Sequence, residues 1–134
     1  MRWTGEGIAY EADPRQCEKL LEETDLEGAN SVATPGVKSL AAQVVGDKPL
    51  PVHEHTRFRA LSARANYLAA DRPDCQFAAK EVCRWMSAPT ELSMLAVKRL
   101  CRFLNGRRRL VLKYPFQDAD CIECYSDTAW GGFA

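Results

Sequence analysis

The stretch TELSMLAVKRLCRFLNGRRRLVLKY, residues 90–114, decides the fold class because its periodicity changes partway along. Leu92, Ala96, Leu100, Phe103 and Leu104 recur at helical spacing and make one apolar stripe, with Lys98, Arg99 and Arg102 largely off it. Thr90 stands where an N-cap belongs, and Asn105-Gly106 is a conventional helix stop. Beyond Arg107-Arg108-Arg109 the pattern becomes strand-like, with Leu110 to Tyr114 as one strand candidate. A loop with Pro115, Gln117 and Asp118 follows, then a second candidate from Cys121 to Ser126. Helix followed by strand in one short chain predicts an α+β fold.

Upstream lie two more helical patterns. Phe58, Leu61, Ala65 and Leu68 form a stripe in a helix from about Thr56 to Ala70. Asp71-Arg72-Pro73-Asp74 makes a junction, with Asp71 placed to cap the next helix and Asp74 to complement its dipole. That helix, to about Ser87, is expected to bury Cys75, Ala78 or Ala79, Val82, Trp85 and Met86, before Pro89 stops it. At the N-terminus Gly7 to Glu11 reads as a strand. Asp13, Pro14 and Gln16 then give an N-cap, a first-turn proline and a capping-box spacing. The helix they open carries Cys17, Leu20 and Leu21 on one side and should end near Asp25. Residues 28–55, broken by Pro35-Gly36, Gly46, Pro49 and Pro51, read as a surface crossing or linker. The expected division is therefore 1–27, linker 28–55, three helices over 56–106, and a further unit beginning at 107.

The net charge is zero, but residues 1–55 carry five Lys/Arg against ten Asp/Glu, and residues 56–113 carry thirteen against four. Residues 114–134 hold four acids and no Lys or Arg. A basic middle third fits either a segment lying along a polyanion or a set of well-solvated helix faces. No apolar run approaches the roughly 20 residues of a membrane span, and no signal-like apolar run follows Met1. Six cysteines, three of them inside helical apolar patterns, read as reduced thiols of an intracellular protein.

Four constellations could carry chemistry. Asp127, at a strand end before Trp130-Gly131-Gly132, is either a turn residue or a carboxylate for a divalent metal. Cys121 and Cys124 have C-x-x-C spacing, but on a strand they would point to opposite faces, and no second such pair exists. His53 and His55 would share a face if their segment were extended. Lys98, Arg99, Arg102, Arg107, Arg108 and Arg109 are the candidate phosphate contacts.

Several pieces in order carry a family likeness. They are the run from Phe58 to Leu68, Arg72-Pro73-Asp74, Phe77-Ala78, Met86 to Thr90, Val97 to Gly106, and Tyr125 to Gly132. Together they resemble the part of copia-type retrotransposon Pol polyproteins that links the reverse transcriptase to ribonuclease H. The segment from Tyr10 through Leu20-Leu21 to Ala33-Thr34-Pro35 is similar to the stretch just upstream in that family.

The resemblance implies that the last strand pair opens a ribonuclease H-like fold and that the basic helices lie beside an RNA–DNA hybrid. It also implies that Asp127 corresponds to the first of the acids that hold two Mg²⁺ ions. Departures accompany it. The chain has no Asp-Asp pair for polymerase chemistry, Ala129 stands where a second acid is usual, and Ser93-Met94 replace an aromatic pair. Seven residues follow Asp127. The expectation is a fragment that binds nucleic acid without turnover of its own, holds no Mg²⁺ stably, and awaits the missing polymerase and ribonuclease H portions. Exposed helix faces would alternatively make it a non-enzymatic interaction module that can self-associate.

Overall fold

The computed structural model describes residues 1–37, 46–118 and 121–124. Its element order is β1 (Arg2–Thr4), β2 (Gly7–Glu11), α1 (Pro14–Thr24), α2 (Val52–Ala69), α3 (Gln76–Cys83), α4 (Glu91–Gly106) and β3 (Val111–Pro115). Four helices and a three-stranded antiparallel sheet make the α+β mixture that the change of period predicts.

α1 packs on α2 and α4, and α3 packs on the same two helices. The shared core is built from Cys17, Leu20 and Leu21 of α1, Phe58, Leu61, Ala65 and Leu68 of α2, Ala79 and Val82 of α3, and Val97, Leu100, Cys101 and Leu104 of α4. The α2 stripe is the expected one. In α4 the first half of the stripe is rotated: Met94 and Val97 are buried, while Leu92 and Ala96 are half-buried. Met94, Val97, Cys101 and Leu104 follow the 3-4-3 spacing of one helix face, which Leu92 and Ala96 flank. Ser93 turns inward to close the N-terminus. Thr90 Oγ1 accepts from Ser93 N (3.1 Å) while Ser93 Oγ accepts from Thr90 N (2.9 Å).

Several local expectations are corrected. Asp13 caps α1 by accepting from Arg15 N, but the Gln16 side chain accepts from Arg64 instead of returning to the cap. Asp25, with φ 56°, takes the left-handed position that closes α1. α2 starts at Val52, earlier than Thr56, so part of the expected linker is helical. Residues before it are also tied down: Leu50 N donates to Pro89 O and Glu91 N to Lys48 O, each at 2.9 Å. Asp71 does not cap α3, whose N-cap Cys75 makes no side-chain hydrogen bond. Instead Asp71 accepts a short hydrogen bond from the Tyr10 hydroxyl, which joins the sheet to the end of α2. α3 is also shorter than expected, leaving Trp85 and Met86 half-buried beyond its end.

The sheet order is β1-β2-β3, so the strand after α4 pairs with the N-terminal hairpin. Ile8 lies opposite Tyr114 and Tyr10 opposite Leu112. No strand forms over residues 121–124, the described part of the second strand candidate. β3 thus finds its ladder on β2, from a region about a hundred residues away in sequence.

Candidate nucleic-acid interface

Six cations were expected to contact phosphate, and the structure sorts them. Arg99 and Arg102 lie one turn apart on α4, Arg108 lies just beyond its end, and all three touch the segment that follows α1. Arg99 Nη2 donates to Thr34 Oγ1 (2.8 Å), Arg102 Nε to the Asn30 carbonyl (2.8 Å), and Arg108 Nη2 to the Glu27 carbonyl (3.5 Å). Asn105 Nδ2 adds a bond to the Ala29 carbonyl at 2.8 Å, and its Oδ1 accepts from Arg108 at 2.9 Å. Gly106 lets the segment come close, since a Cβ there would sit 2.7 Å from Ser31 Cβ.

The other three behave differently. Lys98 is exposed and makes no hydrogen bond or ion pair among the described residues. Arg107 stacks its guanidinium over the Phe103 ring, 5.3 Å from the centroid. Arg109 forms a bidentate pair with Glu11 (Nε–Oε1 2.5 Å, Nη2–Oε2 2.9 Å). That pair lowers the Glu11 carboxyl below its ordinary range through the hydrogen bond to Arg109, and raises the guanidinium correspondingly. Arg109 is largely exposed and Glu11 only partly buried, so solvent screens the pair and its contribution to stability is small.

Charge complementarity inside the molecule accounts for part of the uneven sequence. Arg64 binds Glu23 at 2.8 Å, and Arg57 Nη2 donates to the Glu23 carbonyl at 2.8 Å. The basic middle third therefore serves partly to hold the acidic N-terminal third. The bonds to the segment at 27–34 are of another kind. Carbonyl and hydroxyl acceptors carry no net charge, and Arg99, Arg102 and Arg108 form no ion pair among the described residues. Arg102 commits only Nε, and its terminal nitrogens make no hydrogen bond among the described residues. Their partners run in reverse chain order, Thr34, Asn30 and Glu27, so the three cations form a row along that segment.

Arg72 was not expected to matter, yet it is the most fully enclosed cation, 1% exposed. It binds Asp74 through two 2.8 Å bonds and donates to the carbonyls of Arg107 (2.9 Å) and Arg108 (3.4 Å). Its signal in the sequence was the junction at residues 71–74, whose local chemistry was read for Asp71 and Asp74 and not for Arg72. Among the cysteines, Cys17, Cys75 and Cys101 are buried, Cys121 and Cys124 are exposed, and all six are free.

His53 and His55 fall within the first turns of α2, where residues two apart do not share a face, and His55 Nε2 instead meets the Leu50 carbonyl at 2.8 Å. No group of three His, Cys, Asp or Glu suited to a metal occurs among the described residues. Asp127 and Ala129 lie outside the described residues. No helix among the described residues is long and apolar enough to cross a membrane.

No family model matches the chain, and no solved structure does. The chain is 29% identical over 113 residues to the retrovirus-related Pol polyprotein from transposon RE1 of Arabidopsis thaliana, and 30% identical over 113 residues to that from transposon RE2 of the same plant. Each match covers 84% of this chain and 8% of the relative. The chain therefore spans about a twelfth of the length of these relatives, and the copia-type likeness read from its ordered motifs is matched by two retrotransposon Pol polyproteins.

Proposed function

We propose that this chain is a segment of a reverse transcriptase/ribonuclease H polyprotein that contributes phosphate contacts to an RNA–DNA hybrid and turns over no substrate by itself. The observation that carries the reading is the line of Arg99, Arg102 and Arg108. Their guanidiniums are held by uncharged acceptors on residues 27–34, and those bonds leave the charge and several donors available. Ordering three flexible side chains before binding reduces the entropy cost of ordering them on the ligand. Lys98 adds a cation with no structural duty. Mg²⁺ at Asp127 belongs to the same reading. A two-metal nuclease site needs several acids, and Asp127 supplies one.

Fluorescence anisotropy with a labelled RNA–DNA hybrid across a salt series tests this. Affinity should fall steeply with salt, since each neutralised phosphate adds about one unit to the log–log slope. Lys98→Glu, which breaks no hydrogen bond or ion pair among the described residues, should weaken binding and flatten that slope. The triple variant Arg99→Glu/Arg102→Glu/Arg108→Glu should weaken it further. Salt-independent binding, or none at low salt, would sink the reading.

A further inference from the structure

We propose that Thr34 is a phosphorylation site for a proline-directed protein kinase, and that Arg99 clamps the phosphate it receives and so withdraws α4 from nucleic acid. The effect on binding rests on the nucleic-acid reading above. The site itself rests on the segment after α1 and stands without that reading.

Thr34 has the setting of an acceptor. It is exposed, and residues 27–37 form neither helix nor strand. A kinase groove takes its substrate as an extended peptide, and Pro35 disfavours the helical region for the residue before it. Pro35 also brings a fixed φ and lacks an N–H, the features read at the position after the acceptor in a proline-directed site. Ser31 is exposed in the same segment, but Val32 follows it and its side chain lies against Gly106.

The receiving side is already in place. Arg99 Nη2 donates to Thr34 Oγ1 at 2.8 Å, so the guanidinium touches the atom that would carry the phosphorus. Nε and Nη2 form the edge with which Arg72 grips Asp74 and Arg109 grips Glu11. In Arg99 that edge is half used, because Nε is enclosed and has no hydrogen-bond partner among the described residues. A phosphate on Oγ1 brings further oxygens to it, and charge-assisted bonds replace one bond to a neutral hydroxyl. Pro35, Asp47, Glu81, Arg84 and Arg99 border one cavity. Glu81 is paired with Arg84 at 3.3 Å. Asp47 Oδ1 accepts from Leu92 N at 3.2 Å, two turns or about 10 Å along α4 from Arg99. Arg102, one turn beyond Arg99, adds a second cation beside the segment.

In the transfer, Thr34 Oγ1 attacks the γ-phosphorus of ATP. An Oγ1–P bond forms, the bond from that phosphorus to the β–γ bridging oxygen breaks, and ADP leaves. The hydroxyl proton passes to the general base of the kinase. The product carries about −1.5 to −2 charge near pH 7, enough to offset most of the charge of Arg99 and Arg102. Hybrid phosphates then meet a neutralised stretch of α4.

The test treats the full chain with a mitogen-activated protein kinase and Mg·ATP and maps the product by mass spectrometry. Thr34 should take up phosphate, and Thr34→Ala should leave the segment unmodified. Absence of phosphate on Thr34 would overturn the site. Phosphorus NMR of the modified chain then follows the second ionisation of the phosphate, about pH 6 when unclamped. It should lie below that of the same phosphothreonine in a peptide of residues 27–37, and Arg99→Gln should return it towards the peptide's value. Equal midpoints in chain and peptide would refute the clamp. Both measurements hold whether or not the chain binds nucleic acid. Finally, the modified chain should bind the RNA–DNA hybrid about tenfold more weakly, with a salt slope smaller by about one unit. Unchanged affinity with a clamped phosphate would rule out the withdrawal of α4. A chain that binds no hybrid in either form would sink the nucleic-acid reading and its regulation, while the clamped phosphothreonine stands on the first two measurements.

Discussion

Arg72 and Asp74 form a two-pronged ion pair across Pro73, with Nε–Oδ1 and Nη2–Oδ2 both 2.8 Å and the guanidinium almost wholly removed from water. The same guanidinium holds the Arg107 and Arg108 carbonyls, just past the last turn of α4. One side chain therefore ties the α2–α3 junction to the start of the path into β3. Arg72→Ala leaves Asp74 and two carbonyls short of donors and opens a void, at a cost of about 3–5 kcal/mol. Arg72→Lys keeps the charge but loses the fork, and should recover only part of this. Urea unfolding midpoints measure both. Equal midpoints for Arg72→Ala and the wild type would show the pair to be dispensable.

A second prediction concerns the approach of residue 31 to α4. A Cβ on Gly106 would lie 2.7 Å from Ser31 Cβ and 3.1 Å from its Oγ. Gly106→Ala should destabilise the chain by about 1–3 kcal/mol, because either the segment or the helix end must move. Ser31→Gly should be close to neutral alone and should rescue Gly106→Ala. Additive losses in the double variant would mean that the two positions do not meet.

These two positions show what the sequence could and could not reveal. The helices of the core were legible because burial repeats at helical spacing, as at Phe58, Leu61, Ala65 and Leu68. Thr90 was legible as a cap because its chemistry is local. The pairing of β3 with β2 was not, since a strand's pattern states which residues share a face but not which distant strand completes the ladder. The fate of each Arg was equally hidden. Arg102 and Arg109 look alike in sequence, yet one reaches a carbonyl and the other a carboxylate, as decided by segments roughly seventy to a hundred residues away.

The thiols divide by accessibility. Cys121 and Cys124 are exposed, while Cys17, Cys75 and Cys101 are buried and their thiols are pushed up, chiefly by desolvation. A thiol must ionise and be reached to react. Disulfide-exchange reagent at mild pH should therefore label two cysteines quickly, Cys83 more slowly, and the remaining three only on unfolding. Fast labelling of Cys101 in folded protein would contradict the packing of α1 on α4.

Alkaline stability gives the last prediction. Cys75 and Cys101 are raised from 9.0 to about 11 in the folded chain. Between those values the unfolded chain releases thiol protons that the native chain retains. The native state then binds more protons, so stability falls as pH rises. The thiol contribution is fully present below about pH 9 and is lost progressively as pH rises through 11. Other groups titrate in this window, so the informative quantity is a difference in slope. The unfolding free energy of the wild type should fall more steeply from pH 8.5 to 11 than that of Cys75→Ala/Cys101→Ala, even though the variant is less stable at neutral pH. Parallel slopes would show that these thiols ionise as readily in the folded core as in the unfolded chain, which a dry interface between α1, α3 and α4 does not allow.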